Sequence, residues 1–571
     1  MTTYDKGITG SRDFVSVKKF GVIGDGGVND TVKLKLALES GTKFLLIPAG
    51  DYLVDAIDAT LTSSVTIFAY GARFVNTSQV ATSGSPILRI RGSSSYDVAI
   101  LGLTIQGPRL TSSTTVGTGV YASTGYPSGI DIYTARKVEV VDCNISGTYY
   151  AGIEAHYCAE FHASKNTVFN HGYAGILFSD TVYSNVFENV VDDVGSTMVT
   201  DGYGITSATS YNSPSAGYNT TVIITNNLVT RSKRKGVDCH SGLDILISGN
   251  TVKGFGNSGY YAVCEGVDKQ VRSVRITDNQ CEGDTVFVAT SSSAAFELGT
   301  FGAVLTQYTS FTIEGNEVYN VNCPYAVSCN NGTTTNDVIQ FKVFGNTVRD
   351  STFQYGVGLA NNTPAIYKAV DVSGNEFINC ALTVGYMLLQ KYGELRVVGN
   401  SLSNCTGSVF ISLDDYTKAI VERNTSNGVL LGAAQLEQYS TGLLVETTLT
   451  FGGAVSNLDL LKCDLGAAND STVAVEVSVT ETRNNTVGAA TYSYIAYATR
   501  TGAGAPAVTP AAATNMTLGT LVYGAVTAPQ LIWNVASNVI TLQLQPKDTF
   551  SAVIVRARAI SWRGTLTSLV R

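Results

Sequence analysis

The sequence predicts an all-β solenoid of the parallel β-helix kind, and two interleaved repeats carry that prediction. The first is a short strand led by glycine: GIDIY from Gly129, GIEAH from Gly152, GILFS from Gly175, GITSA from Gly204 and GVDCH from Gly236, with looser copies at Ala262, Ala295, Ala326 and Gly356. The second is an asparagine followed by a short apolar or β-branched stretch, at Asn144, Asn166, Asn185, Asn227, Asn250, Asn279, Asn316, Asn346, Asn375, Asn400 and Asn424. The spacing falls in the range of a solenoid repeat, and the long intervals read as loops inserted into a turn. A unit this short cannot bury its own apolar side chains, so it must stack on its neighbours. Asparagine at a repeated bend tolerates left-handed backbone and bonds its amide to the next turn, so the Asn series reads as scaffold.

Composition agrees with that architecture. A chain of 571 residues is too long for one ordinary core, but a solenoid core grows in one dimension. Charged residues make up 14% while Gly (57) and Tyr (30) are abundant, which gives a neutral, hydrogen-bonding surface suited to glycans. The net charge of −8 argues against nucleic acid as a partner. The ten cysteines are spread along the chain, and Cys380 and Cys405 each follow a repeat Asn by five residues. They should stack as small buried hydrophobes. No secretory signal opens the chain, so free thiols made in a reducing cytosol are expected. No apolar run is long enough to span a membrane.

Taken in order, residues 1–13 are polar and unpatterned, a candidate attachment peptide. Residues 14–60 read as a cap: a strand, a Gly-rich turn, a short helix from about Thr31 to Ser40 capped by Asn29 or Asp30, and a buried strand Phe44–Ile47. The Gly cluster matches neither G-x-G-x-x-G nor a P-loop, so a nucleotide site is excluded. The β-helix occupies 61–432, with polar insertions at 107–128 and 207–220 as candidate walls of a glycan groove. From 446 to 571 longer alternating strands, among them TVAVEVSVTET and FSAVIVRARAISW, predict a C-terminal antiparallel β-sandwich that holds both Trp533 and Trp562.

The cap segments FGVIGDGGVNDT and LLIPAGDYLV resemble the N-terminal cap of pectate-lyase-like right-handed parallel β-helix proteins, the family that includes bacteriophage tailspikes and capsular polysaccharide depolymerases. Asn29 stands where that family often carries Asp. The resemblance covers roughly residues 14–430 and speaks for the fold more than for a reaction, because the family holds hydrolases, lyases, epimerases and adhesins. It implies a homotrimer closed by the C-terminal domain, a virion location and docking on a phage tail or adaptor protein through the N-terminus. The signatures of polygalacturonases and the calcium site of pectate lyases are absent, so no catalytic residue carries over, and no metal or cofactor is expected.

Chemistry is therefore read from the repeat itself. If the residue after each Gly points inward, the next points outward and forms a column of Asp131, Glu154, Leu177, Thr206, Asp238, Cys264 and Glu297. Tyr133, His156, Ser179, Ala208 and His240 form a second. Asp131 and Glu154 would lie on adjacent turns about 5 Å apart, the spacing of two carboxylates that hydrolyse a glycosidic bond. Asp238 with His240 makes a second acid–histidine pair, roughly 14 Å away at about three turns. Lys233, Arg234 and Lys235 precede it and, with Tyr203 and Tyr133, are candidate substrate-binding residues. Outward acids on a solenoid are more often solvated surface than chemistry. Only four histidines exist, however, and His156 and His240 hold the same place beside an acid.

The reading is a phage tailspike that binds and depolymerises a bacterial capsular polysaccharide by endo-hydrolysis, with Glu154 and either Asp131 or Asp238 as the carboxylates. Two alternatives stay open. One is a lyase in which the basic run neutralises a uronate and His240 or a tyrosine takes a proton. The other is an adhesin that grips glycan through tyrosines and avidity.

Overall fold

The computed structural model describes residues 14–79, 85–108, 127–195, 202–208, 220–240, 242–265, 272–284, 294–301, 310–332, 338–361, 367–407 and 411–427, and further strands between Ala434 and Ser568. The 1–13 peptide, most of both polar insertions and Trp562 lie outside the described residues. The chain divides into two compact units, Met1–Cys264 with Asp284–Val288, and Glu265–Gly283 with Ala289–Arg571.

The first unit opens on the cap. Helix α1, Thr31–Glu39, buries Leu34, Ala37 and Leu38. Asn29 Oδ1 accepts from the Thr31 amide at 3.0 Å, so Asn29 and not Asp30 caps the helix. The fully buried Asp30 instead accepts from the amides of Ile23 and Gly24 at 2.8 and 2.7 Å and ties down the Gly-rich turn. Gly24 has φ +64°, and a Cβ there would lie 2.4 Å from the Tyr52 ring. The glycines are thus a packing device.

Behind the cap the chain coils into a right-handed parallel β-helix with three sheets. In the first unit the first sheet runs from Ile57–Thr60 and Leu88–Arg91 through the leading parts of Ile130–Val141 and Ala151–Ser164 to Ala174–Ser179, Tyr203–Ala208, Lys235–Cys239 and Ser258–Glu265. The second sheet pairs Val65–Phe68 with Asp97–Leu101 and continues through Tyr183–Phe187, Thr221–Thr225 and Asp244–Ser248. The third includes Thr104–Gln106, Asn144–Ser146, Thr167–His171, Val190–Val194, Leu228–Ser232 and Thr251–Phe255.

The residue after each repeat glycine is a fully buried Ile130, Ile153, Ile176, Ile205 or Val237, stacked in register. Each such side chain contributes about 1.5–3 kcal/mol on burial. The glycines let the sheets close: a Cβ at Gly175 would lie 2.3 Å from Val191 Cγ1 and 2.6 Å from the Gly204 carbonyl oxygen. The next member after Gly236 is Gly259, not Ala262, because Lys235 pairs with Ser258 and Val237 with Tyr260.

The asparagine series forms a hydrogen-bonded ladder within each unit. In the first unit Asn166, Asn189, Asn227 and Asn250 are buried, and each side-chain oxygen accepts from the amide of the residue one turn back. Asn227 Nδ2 also donates to the Val186 carbonyl and to Asn250 Oδ1, both at 2.9 Å. Two expected members differ. Asn189 holds the rung assigned to Asn185, and Cys143 holds the one assigned to Asn144, which is exposed. The ladder residue follows a left-handed corner, as Glu188 precedes Asn189 and Asp142 precedes Cys143, and Asn185 and Asn144 lack one.

In the second unit the ladder runs Asn279, Asn316, Asn346, Asn375, Asn400, Asn424. Eight described cysteines are buried, and burial pushes the thiols of Cys143 and Cys158 up to about 12. Antiparallel pairing enters at Ala434–Glu437, which meets Thr565–Ser568; Leu443–Thr450, still parallel to Ile411–Asn427 on one side, meets Ala552–Ser561 on the other, and Ser471–Thr482 meets Ala489–Arg500.

Candidate active site

The first sheet of the first unit aligns Asp58, Arg89, Asp131, Glu154, Leu177, Thr206, Asp238 and Tyr261, one per turn. The expected column is therefore real from Asp131 to Asp238. It continues into Tyr261 rather than Cys264, while Glu297 belongs to the second unit, paired with Ser328. The expected solvation is corrected: Asp131 is 3% exposed, Glu154 1% and Asp238 0%. Arg89, Ser128 and His156 pack on the first two acids, and Thr206, Lys235 and His240 on the third.

Asp131 and Glu154 form one cluster with Arg89 and His156. Arg89 Nε donates to Asp131 Oδ2 at 2.7 Å, and Arg89 Nη1 lies 3.8 Å from Asp58. Asp131 Oδ1 is buried and has no hydrogen-bond partner among the described residues. Ser128 Oγ donates to Glu154 Oε2, and His156 Nε2 meets Glu154 Oε1 at 2.6 Å. The other imidazole nitrogen lies 2.5 Å from Ser179 Oγ.

Burial and then the like charge of Glu154 push the Asp131 carboxyl up to about 6, against the pull of His156 and Arg89. Burial opposes a charged His156, but Glu154 and Asp131 outweigh it and hold the imidazole above its ordinary value. Asp131 is thereby suited to carry a proton where an ordinary aspartate would have lost it, as an acid role requires. One donor atom from each of Asp131, Glu154 and His156 lies within 4.8 Å of the others, a spacing that would also suit a divalent cation. The contacts present, from Arg89, Ser128 and Ser179, already serve as proton and charge partners for these groups.

The second pair is built differently. Asp238 accepts from Lys235 Nζ at 3.1 Å and Thr206 Oγ1 at 2.8 Å, and His240 Nε2 lies 2.8 Å away. Burial alone would raise its carboxyl, but His240 and then Lys235 hold it down to about 2. The basic run does not act as one patch. Lys235 is buried on Asp238 with its ammonium over the Tyr261 ring, and Arg234 donates to the Tyr203 hydroxyl with its guanidinium 5.4 Å from that ring. Lys233 is half-buried. Tyr203 is 4% exposed and lies 5.2 Å from Tyr173, which stacks on Tyr150 at 4.6 Å. Tyr133, by contrast, is 40% exposed beside His156.

Sequence reasoning missed Arg89, Ser128 and Thr206 as partners of these acids, Ser179 as the partner of His156, and Tyr261 as the ring beside Lys235 and His240. Arg89 lies in LRIR, a first-sheet strand without the leading glycine. Ser128 directly precedes Gly129, a position the repeat alignment could have flagged.

Residues 70–252 match the family described as right handed beta helix region, and the turns of the first unit form that fold. No curated protein matches the chain. Among solved structures, a glycoside hydrolase family 87 α-1,3-glucanase from Streptomyces thermodiastaticus is 12% identical, covers 72% of this chain and 68% of its own, and has a TM-score of 0.38. The enzymatically active domain of tailspike protein 2 from bacteriophage CBA120 is 10% identical over 98% of this chain and 82% of its own, with a TM-score of 0.32. The Streptococcus pneumoniae surface adhesin PfbA is 11% identical over 71% and 97%, with a TM-score of 0.28. At such identities the chemistry of this chain rests on its own residues. No described helix is long and apolar enough to cross a membrane.

Proposed function

We propose that the chain is a tailspike-type depolymerase that cleaves a bacterial capsular polysaccharide by endo-glycosidic hydrolysis, with Asp131 and Glu154 as its two carboxyls. The observation that carries this reading is the Asp131 carboxyl, pushed up to about 6 beside Glu154, with no hydrogen-bond partner for its Oδ1 among the described residues. A proton on Oδ1 leaves Oδ2 to accept from Arg89. Asp131 then protonates the leaving glycosidic oxygen while Glu154, held by Ser128 and His156, attacks the anomeric carbon. Water, deprotonated by Asp131, releases the sugar from Glu154. Carboxyl groups about 5–5.5 Å apart belong to retaining enzymes, and donor oxygens within 4.8 Å agree with retention.

Asp238 does not suit the acid role, because its proton is lost near pH 2 and Lys235 and His240 hold its charge. The lyase reading would use His240 as base, but Lys235, its nearest buried cation, is committed to Asp238. The tailspike setting, a homotrimer in a virion, rests on the cap resemblance and on the change to antiparallel pairing that begins at Ala434–Glu437.

The test is to incubate the protein with a panel of purified capsular polysaccharides, size the products and read the anomeric configuration of the first one released. Shortened chains with retained configuration are expected. Glu154→Gln should lose at least about 10²-fold in rate. Asp238→Asn should keep cutting. Chains of unchanged length across the panel would leave an adhesin, and an unsaturated, ultraviolet-absorbing product would mean a lyase.

A further inference from the structure

In three successive turns the chain leaves the first sheet through a single left-handed residue: Thr134 (φ 63°), Tyr157 (φ 55°) and Asp180 (φ 53°). Aspartate tolerates that conformation, whereas a bulky side chain is an outlier in it. Among the described residues Tyr157 is the one aromatic with positive φ. Strain of this kind persists where the surroundings impose it, often at a binding surface.

The strained backbone places the Tyr157 ring edge-on to Tyr133, with centroids 5.1 Å apart and planes at 70°. Both rings flank the imidazole that holds Glu154, at 6.2 Å for Tyr133 and 6.3 Å for Tyr157. Arg91 lies over Tyr133 at 6.0 Å and is fixed from behind by Asp58 at 2.8 Å. Tyr133 is exposed and Tyr157 half-buried, and their edge-to-face contact leaves an inside corner between the rings, a notch. Its walls match the apolar C–H face of a pyranose, and its rim of phenol and guanidinium groups matches the sugar hydroxyls.

We infer that Tyr157 and Tyr133 form a hexopyranose-binding notch that seats one sugar of the polymer against the Glu154–His156 pair. The inference deepens the hydrolytic reading of Asp131 and Glu154 and rests on it for the role of the bound sugar. It assigns Tyr157 as a specificity residue, an aromatic kept at a corner whose left-handed backbone suits aspartate or asparagine better.

The test is saturation-transfer NMR on the full chain with methyl glucoside, galactoside and mannoside as probes, alongside thermal melts. Wild type should transfer saturation to the ring protons of at least one glycoside. Tyr157→Phe, which keeps the ring, should retain that signal. Tyr157→Asn, which suits the left-handed corner, should weaken binding about five- to tenfold with an unchanged or higher melting temperature. No signal in wild type, an equal signal in Tyr157→Asn, or a lower melting temperature in that variant would overturn the inference. Glu154→Gln should keep the glycoside signal. If that variant binds glycoside yet cuts polymer at the wild-type rate, only the hydrolytic reading falls.

Discussion

Replacing Arg89 with methionine tests whether Asp131 is the acid. Arg89 is buried, and its removal takes away one charge-assisted hydrogen bond of 2.7 Å and one nearby positive charge from Asp131. At an effective dielectric near 20, unit charges at about 4 Å interact by about 4 kcal/mol, or roughly three pKa units. Arg89 ranks behind burial, Glu154 and His156 among the influences on Asp131, so a rise of about one to two units is the better expectation. Asp58 keeps Arg91 as a partner at 2.8 Å, and Asp131 escapes an unpaired buried charge by holding its proton. The variant should therefore fold.

The sign follows from the role. A general acid works while protonated, so wild-type kcat/KM should fall as pH rises through about 6, and in Arg89→Met that limb should move up by at least about one unit. Stability gives a second reading. Asp131 titrates higher folded than unfolded, so its contribution is fully present below pH 3.8 and lost as pH rises through about 6, about 3 kcal/mol in all. In the variant that loss should extend to higher pH. A limb that stays in place or moves down would refute Asp131 as the acid.

Two further outcomes concern the scaffold. Asn227→Ala strips partners from the amide of Asn189 and the carbonyl of Val186, and should cost about 2–4 kcal/mol in denaturant melts, whereas a loss under about 1 kcal/mol would show that water replaces the ladder. The full chain should scatter light as a trimer, and a monomer at micromolar concentration would remove that assembly from the proposal.

The β-helix was legible because its two signals are local. Glycine appears where sheets close against a valine, as at Gly175, and asparagine where its amide bridges two turns, as at Asn227. Errors arose where one signal occurred twice in a turn. In NVFENVV both asparagines precede apolar residues, and only the left-handed Glu188 singles out Asn189. The stripe from Asp131 to Asp238 was legible from alternation. Its burial was not, because Arg89 and Ser128 come from positions 42 and 26 residues away from their partners. Nor did the sequence separate Lys235 from Lys233 and Arg234, since a consecutive basic run does not show which member turns toward Asp238.

The asparagine ladder also has a consequence for how the chain reaches and leaves its folded state. Every rung presents amide and carbonyl groups that stay unpaired until the following turn is laid down, so each turn serves as the template for the next. Parallel pairing across more than twenty residues is slow to form, and the growing end is an open edge that can capture another chain. Once the last turn is in place, no interior turn can open without breaking contacts on both sides. Loss of structure must then begin at an end and proceed one coil at a time, so the chain's persistence is set by how fast its ends open rather than by the stability of any single turn.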